Sequence, residues 1–184
     1  GVDGQDFAQA ALDHVILDTI EDGRAYSGFT IAKTGAAEVT LDPGRLYASG
    51  AVYARVDSVI IDLFNSIPLV TKKRVAIVAY GQTIEDDVQP RDFLINADTG
   101  ATEPQSVPMV QSRRCEVNAV AGQEAADPTY PTVDVNLTVL AYVLLDTTGV
   151  IEVEQWEATQ VNNLGDVADR TASMEAWRSD ISGQ

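Results

Sequence analysis

From Gly28 onward the chain is a succession of short β-prone runs broken at close intervals by turn residues, and this spacing constrains the fold more than any other feature. Asp42-Pro43-Gly44 is a turn with a mechanism: proline presets φ at the second position and glycine accepts positive φ. Ser49-Gly50, Thr99-Gly100, Asp127-Pro128 and the stretch 146–149 punctuate the rest. Between them the β-prone runs cover residues 29–33, 38–41, 45–48, 51–63, 75–82, 91–96, 113–120, 133–145 and 150–156. Residues 97–108 read as a turn-rich connection and 122–130 as a loop. Many short strands with frequent turns predict a mainly β fold, an antiparallel sandwich or a partly closed barrel.

Both ends of the chain break this pattern. Residues 5–22 carry apolar side chains at helical spacing, with Phe7, Ala11, His14 and Val15 on one side and Gly23 where a helix stops. At the other end Leu164, Val167, Thr171, Met174, Arg178 and Ile181 alternate at spacings of three and four, the a/d seam of a coiled coil. A helix of this length is marginal alone in water, so it needs the domain surface or copies of itself to pack on. The predicted organisation is an N-terminal helix over 1–23, a β-rich domain over 24–160, and over 161–184 a C-terminal helix that starts an oligomeric stem. The chain begins at Gly1, which reads as a processed product or as part of something longer, and a seam that stops just inside the heptad pattern points to the second.

Charge and cysteine content exclude several partners and frameworks. With 28 acidic against 12 basic residues the net charge is -16, which repels nucleic acid phosphates and anionic membrane surfaces. Cys115 is the only cysteine, so no intrachain disulfide forms. No apolar run approaches the roughly 20 residues of a membrane helix. Asp3 and Asp6, without a basic flank, do not read as a signal peptide. Hydrophobic residues make up 45% of the chain, enough to bury a core without staples.

Catalytic patterns are scarce. His14 is the only histidine, so any Ser-His-Asp or Cys-His arrangement would have to use it. Cys115 lies in a β-prone run and reads as a small buried hydrophobe. One Cys and one His are too few for a structural zinc site, and no phosphate-binding glycine loop is present. Glu85-Asp86-Asp87 lacks the alternating spacing of a calcium loop and reads as a solvated turn. Lys72-Lys73-Arg74 reads as the charged start of a strand. The expectation is no catalytic residue, no metal and no cofactor. Two alternatives stand beside it. A carbohydrate-binding module would present an exposed aromatic platform among Tyr26, Tyr47, Tyr53, Tyr80 and Tyr130. A glycosidase-like enzyme would hold two carboxylic acids in a cleft.

Three stretches, taken in order, resemble a known class. The first is Ser27-Gly28-Phe29-Thr30-Ile31 with the run from Val39 to Tyr53 that contains Pro43-Gly44-Arg45-Leu46-Tyr47. The second is Asp127-Pro128-Thr129-Tyr130-Pro131-Thr132, followed by Leu140-Ala141-Tyr142-Val143 and Gly149-Val150-Ile151. The third is Leu164-Gly165-Asp166-Val167-Ala168-Asp169-Arg170, leading into Met174-Glu175-Ala176-Trp177. Their style and order resemble the particle-proximal regions of tailed-phage virion appendage proteins, the tail fibres and baseplate proteins. The resemblance implies a structural role in the virion, homotrimerisation, and attachment to other tail or baseplate proteins in support of host attachment. It brings no catalytic residues. Thr171 and Arg178 depart from an all-apolar seam.

Overall fold

The structure, a computed structural model, describes residues 13–14, 24–96 and 99–161. Asp13 and His14 are helical; the rest of the N-terminal helix read over 5–22 lies outside the described residues. So do Leu164, Val167, Thr171, Met174, Arg178 and Ile181, and with them the predicted stem.

The fold is mainly β, with a large sheet curled into a half-barrel. Among the described residues ten strands run β1 Ala25–Gly28, β2 Ile31–Lys33, β3 Glu38–Leu41, β4 Gly44–Ala48, β5 Ala51–Arg55, β6 Val59–Asp62, β7 Lys72–Asn96, β8 Ala101–Ala125, β9 Thr138–Asp146 and β10 Gly149–Gln155. Seven form the large sheet in the order β1-β4-β5-β8-β7-β9-β10, and three form a small sheet in the order β2-β3-β6. Neighbouring strands pair antiparallel except β5 and β8, which meet in parallel at the single pair Ala54 and Arg114.

Strand alternation divides the centre of β7 between two cores. Val75, Ile77 and Ala79 face a main core shared with Cys115, Val143, Leu145 and, from the small sheet, Ile31, Val39 and Leu41. Ala76 and Val78 face a smaller core with Tyr142, under Val133, Leu137 and Trp156. The large sheet is therefore covered on both faces at its centre, which explains the near-continuous apolar runs of β7 and β9.

A register shift between Ile77 and Val78 leaves Leu140 as an extra residue in β9. Leu140 and Ala141 both enter the main core as a result. The Leu140 carbonyl accepts from the Trp156 amide at 2.9 Å, from Gln155 Nε2 at 3.0 Å and from the Tyr26 hydroxyl at 3.2 Å. Gln155 also accepts at Oε1 from the Ile31 amide at 3.2 Å and donates to the Phe29 carbonyl at 3.3 Å. One carboxamide thereby links the two sheets where the half-barrel edges approach.

Several strand boundaries differ from those read in the sequence. The 29–33 run is shortened to Ile31–Lys33, because Gly28 and Phe29 both take positive φ (75° and 54°) and turn the chain from the large sheet to the small one. Gly44 begins β4 without positive φ; its missing side chain makes room for the Phe29 ring instead. The 51–63 run breaks at Val56-Asp57-Ser58 into strands of different sheets, and the strand read from 133 begins only at Thr138. Ser49-Gly50 is the expected tight turn, with φ of 52° and 71° at its two residues. The largest correction is that residues 72–96 and 101–125 are two continuous strands. Glu85-Asp86-Asp87 lies within the first of them, not in a turn. The turn-rich stretch 97–108 belongs largely to the second, which also takes in the start of the 122–130 loop up to Ala125; 126–130 are irregular, as read.

Candidate functional site: a projecting hairpin arm

The inner half of the β7–β8 hairpin belongs to the large sheet, where Lys73 to Ala79 pair with β9 on the other side. Beyond Arg114, among the described residues, the two strands pair only with each other, from Thr83–Arg113 out to Asn96–Ala101. About fourteen residues per strand at about 3.3 Å each make an arm on the order of 45 Å long. A two-stranded ribbon of this kind is at best marginally stable alone in water, so its order depends on the sheet in which it is rooted.

Prolines define the ribbon's pairing class. Pro90 lies opposite Ser106, Pro104 opposite Asp92, and Pro108 opposite Val88. These pairs recur every second residue and so share one class. A residue without an N–H fits only the class whose N–H groups point away from the partner strand. In a central strand those outward groups would be needed by a third strand. Among the described residues no third strand pairs with the arm's outer edges, so proline costs no ladder bond there.

The arm side chains are exposed at Glu85, Gln89, Pro90, Arg91 and Asp92, and again from Thr102 to Ser106. Near the tip Phe93, Leu94 and Ile95 are 42%, 61% and 59% exposed. Three consecutive residues project to both faces, so this apolar end is two-sided.

The base of the arm is rich in arginine. Arg113 forms a bidentate pair with Asp13 at 2.7 and 2.8 Å, tying the N-terminal helical residues to β8. The Arg113 hydrogen bond holds the Asp13 carboxyl below its ordinary range, against the smaller effect of burial. Arg55 donates to the Cys115 carbonyl at 3.3 Å and approaches Glu116 at 3.5 Å, while its Nε is buried without a hydrogen-bond partner. Where β5 splays from β8 these side chains line an open cleft of about 580 Å³ with Asp57 and Arg114. A shallower hollow shares Arg55 and adds Arg45.

At the opposite end of β7 the loop before the strand exposes Leu69 and Val70 (89% and 79%). Glu124 fixes it by accepting from the amides of Leu69, Val70 and Thr71 at 3.2, 2.8 and 2.8 Å. The Thr71, Val70 and Leu69 amides, in that order, hold the Glu124 carboxyl below its usual value.

Cys115 is buried, as expected, and burial pushes its thiol up to about 12. The tyrosines do not form one platform. Tyr26 is fully buried and the Tyr53 ring lies over Gly81. Tyr130 instead joins Tyr142 and Trp156, at centroid distances of 4.5 and 6.2 Å, with the Arg74 guanidinium 4.4 Å above its ring. Tyr142 and Trp156 were not read as its companions, because both sit in apolar runs that signal only strands. Among the described residues no group of three His, Cys, Asp or Glu could hold a metal ion, and no helix is long and apolar enough to cross a membrane.

No family model matches the chain, and neither a curated protein nor a solved structure matches it.

Proposed function

We propose that the chain is a structural, non-enzymatic virion protein, the anchoring domain of a phage tail fibre or baseplate appendage. The observation that carries this reading is the arm: fourteen or so residue pairs of ribbon, with an exposed apolar tip, held rigidly by strands that also build the centre of the body. Such an element contributes nothing to its own core, and its free energy is recovered by lying against another chain. The body, an antiparallel sandwich or partly closed barrel, acts as the rigid mount. The C-terminal residues Leu164, Val167, Thr171, Met174, Arg178 and Ile181 bring three chains into one stem, and neighbouring tail or baseplate proteins receive the assembly. The resemblance of the three sequence stretches to tailed-phage appendage proteins supplies the virion setting.

Light scattering on the full chain tests the assembly. The expected mass is three times the 19.7 kDa of one chain. Met174→Asp, which puts a charge into the seam, lowers it. A monomer at micromolar concentration, or a Met174→Asp variant of unchanged mass, overturns the stem.

A second reading, a carbohydrate-binding module in host recognition, is favoured by one observation. Tyr130 is 48% exposed, stacked under Arg74, and donates from its hydroxyl to Glu154 at 3.0 Å. A glycan array answers it: retention of a glycan that is lost in Tyr130→Ala supports the module, and an empty array removes it.

A further inference from the structure

We infer that the outer edge of β7, where the arm leaves the body, takes up an extended peptide that runs antiparallel to it and ends in a carboxylate held by Arg24. Such docking is independent of the virion setting and of the stem.

The backbone offers the edge. Pro90 places the even-numbered residues of β7 in the class that points away from β8, and β9 pairs with this class at Ala76–Tyr142 and Val78–Val139. Pairing with β9 ends at Ala79–Thr138. The chain before Thr138 turns aside: the Leu137 amide donates to the Asp134 carbonyl at 3.0 Å and the Asn136 amide to Asp134 Oδ1 at 2.8 Å. Tyr80, Gln82, Ile84, Asp86 and Val88 therefore turn their N–H and C=O groups outward, and among the described residues no third strand meets them. The outer edge of β8 differs, because Pro104 and Pro108 remove donors of the same class there. Edge prolines block strand addition, and β7 has none before Pro90.

A hollow at the inner end of this edge selects what arrives. It measures about 310 Å³, and Arg24 is the one charged residue in its lining. Arg24 donates to the Asn136 carbonyl at 2.6 Å, and among the described residues no carboxylate reaches it. Strand alternation puts Tyr80 on one face of the edge, while the Tyr53 ring lies over Gly81 on the other. A strand that continues the lane of β9 runs antiparallel to β7, so its C-terminus arrives opposite Tyr80, beside Arg24. The Tyr80 N–H then donates to one carboxylate oxygen and Arg24 to the other. A parallel strand would bring an amino terminus to Arg24, which repels it.

The full chain is screened against random peptides of about eight residues with free C-termini, long enough to cover Tyr80 to Val88. Each binder is remade as its carboxamide. Binding is expected to weaken about tenfold or more for the carboxamide, and likewise in Arg24→Ala. Gln82→Pro removes an outward N–H that the ladder with β8 does not use, so it is expected to keep the circular dichroism of the parent and to abolish binding. Bound peptide should slow amide exchange at Tyr80, Gln82 and Ile84 more than at Gly81 and Thr83, whose N–H groups already serve β8. A library without a binder, carboxamides that bind as well as the acids, or protection that ignores this alternation overturns the inference. Should Gln82→Pro unfold the arm, the carboxamide comparison and the exchange pattern, both read on the parent chain, still decide. Failure here leaves the stem standing, since its own test is the mass of the assembly.

Discussion

The phenolic hydroxyl of Tyr26 donates to the Trp156 carbonyl at 2.7 Å, joining the first strand of the large sheet to the segment that leaves its last. Gln155 Nε2 donates to the same hydroxyl at 2.8 Å, and the Gln160–Tyr26 bridge with the Val161 amide on the Tyr26 carbonyl continues the seam. Tyr26→Phe removes this hydroxyl from a site with no exposure and leaves its partners short of a bond. A loss of about 1–3 kcal/mol is expected in urea unfolding. A change below about half a kcal/mol would show that the seam contributes little to closure.

Gly81 is where the Tyr53 ring crosses β7, and a side chain there would occupy the space of that ring. Gly81→Val is expected to lower stability by about 2–3 kcal/mol through displacement of Tyr53. The cost should shrink in a Tyr53→Ala background, since the two residues share one volume. Additive losses in the double-mutant cycle would place the damage elsewhere.

The Asp13–Arg113 pair ties the N-terminal helical residues to the base of the arm. Asp13→Asn is expected to cost about 1 kcal/mol at neutral pH, since the pair is only partly buried. Because the folded carboxyl sits below its ordinary value, its contribution is present above the unfolded value of about 3.9 and is lost as pH falls through the folded one. The parent and the variant should therefore converge in stability as pH falls from about 3.9 through the lowered folded value. Curves that stay parallel throughout that fall would count against the pair.

Cys115 and Tyr26 set the alkaline limit. Burial raises both, the thiol to about 12. The unfolded thiol ionises near about 8.5, so the unfolded chain sheds its proton first and stability falls as pH climbs from there towards 12. Cys115→Ala should flatten part of that decline, and a thiol reagent should label the native parent at pH 8 only as fast as the core opens. Immediate labelling would contradict a buried, protonated thiol.

The sequence carried the ordinary hairpins well. Ser49-Gly50 and the 146–149 turn bring adjacent strands together, and their residue types name the conformation locally. The arm was hidden because proline, acidic triplets and Thr-Gly are turn signals in any strand that has neighbours on both sides. On a two-edged ribbon they are compatible with extended chain. The Tyr26 seam was equally illegible: its partners Leu140, Gln155 and Trp156 lie 114 to 130 residues away, and nothing local marks a tyrosine whose hydroxyl will meet a bulged carbonyl. The Arg55–Arg114 cleft has the same cause, since residues 55 and 114 meet only through the parallel junction of β5 and β8.

Continuity of the arm with β7 has a mechanical consequence. A pull on the tip is delivered along the strand axis into the stretch where Lys73 to Ala79 pair with β9, so the ladder is loaded in shear, with its bonds sharing the tension at once, and is not peeled open one bond after another. A lever rooted in this way transmits force to the body without unravelling it.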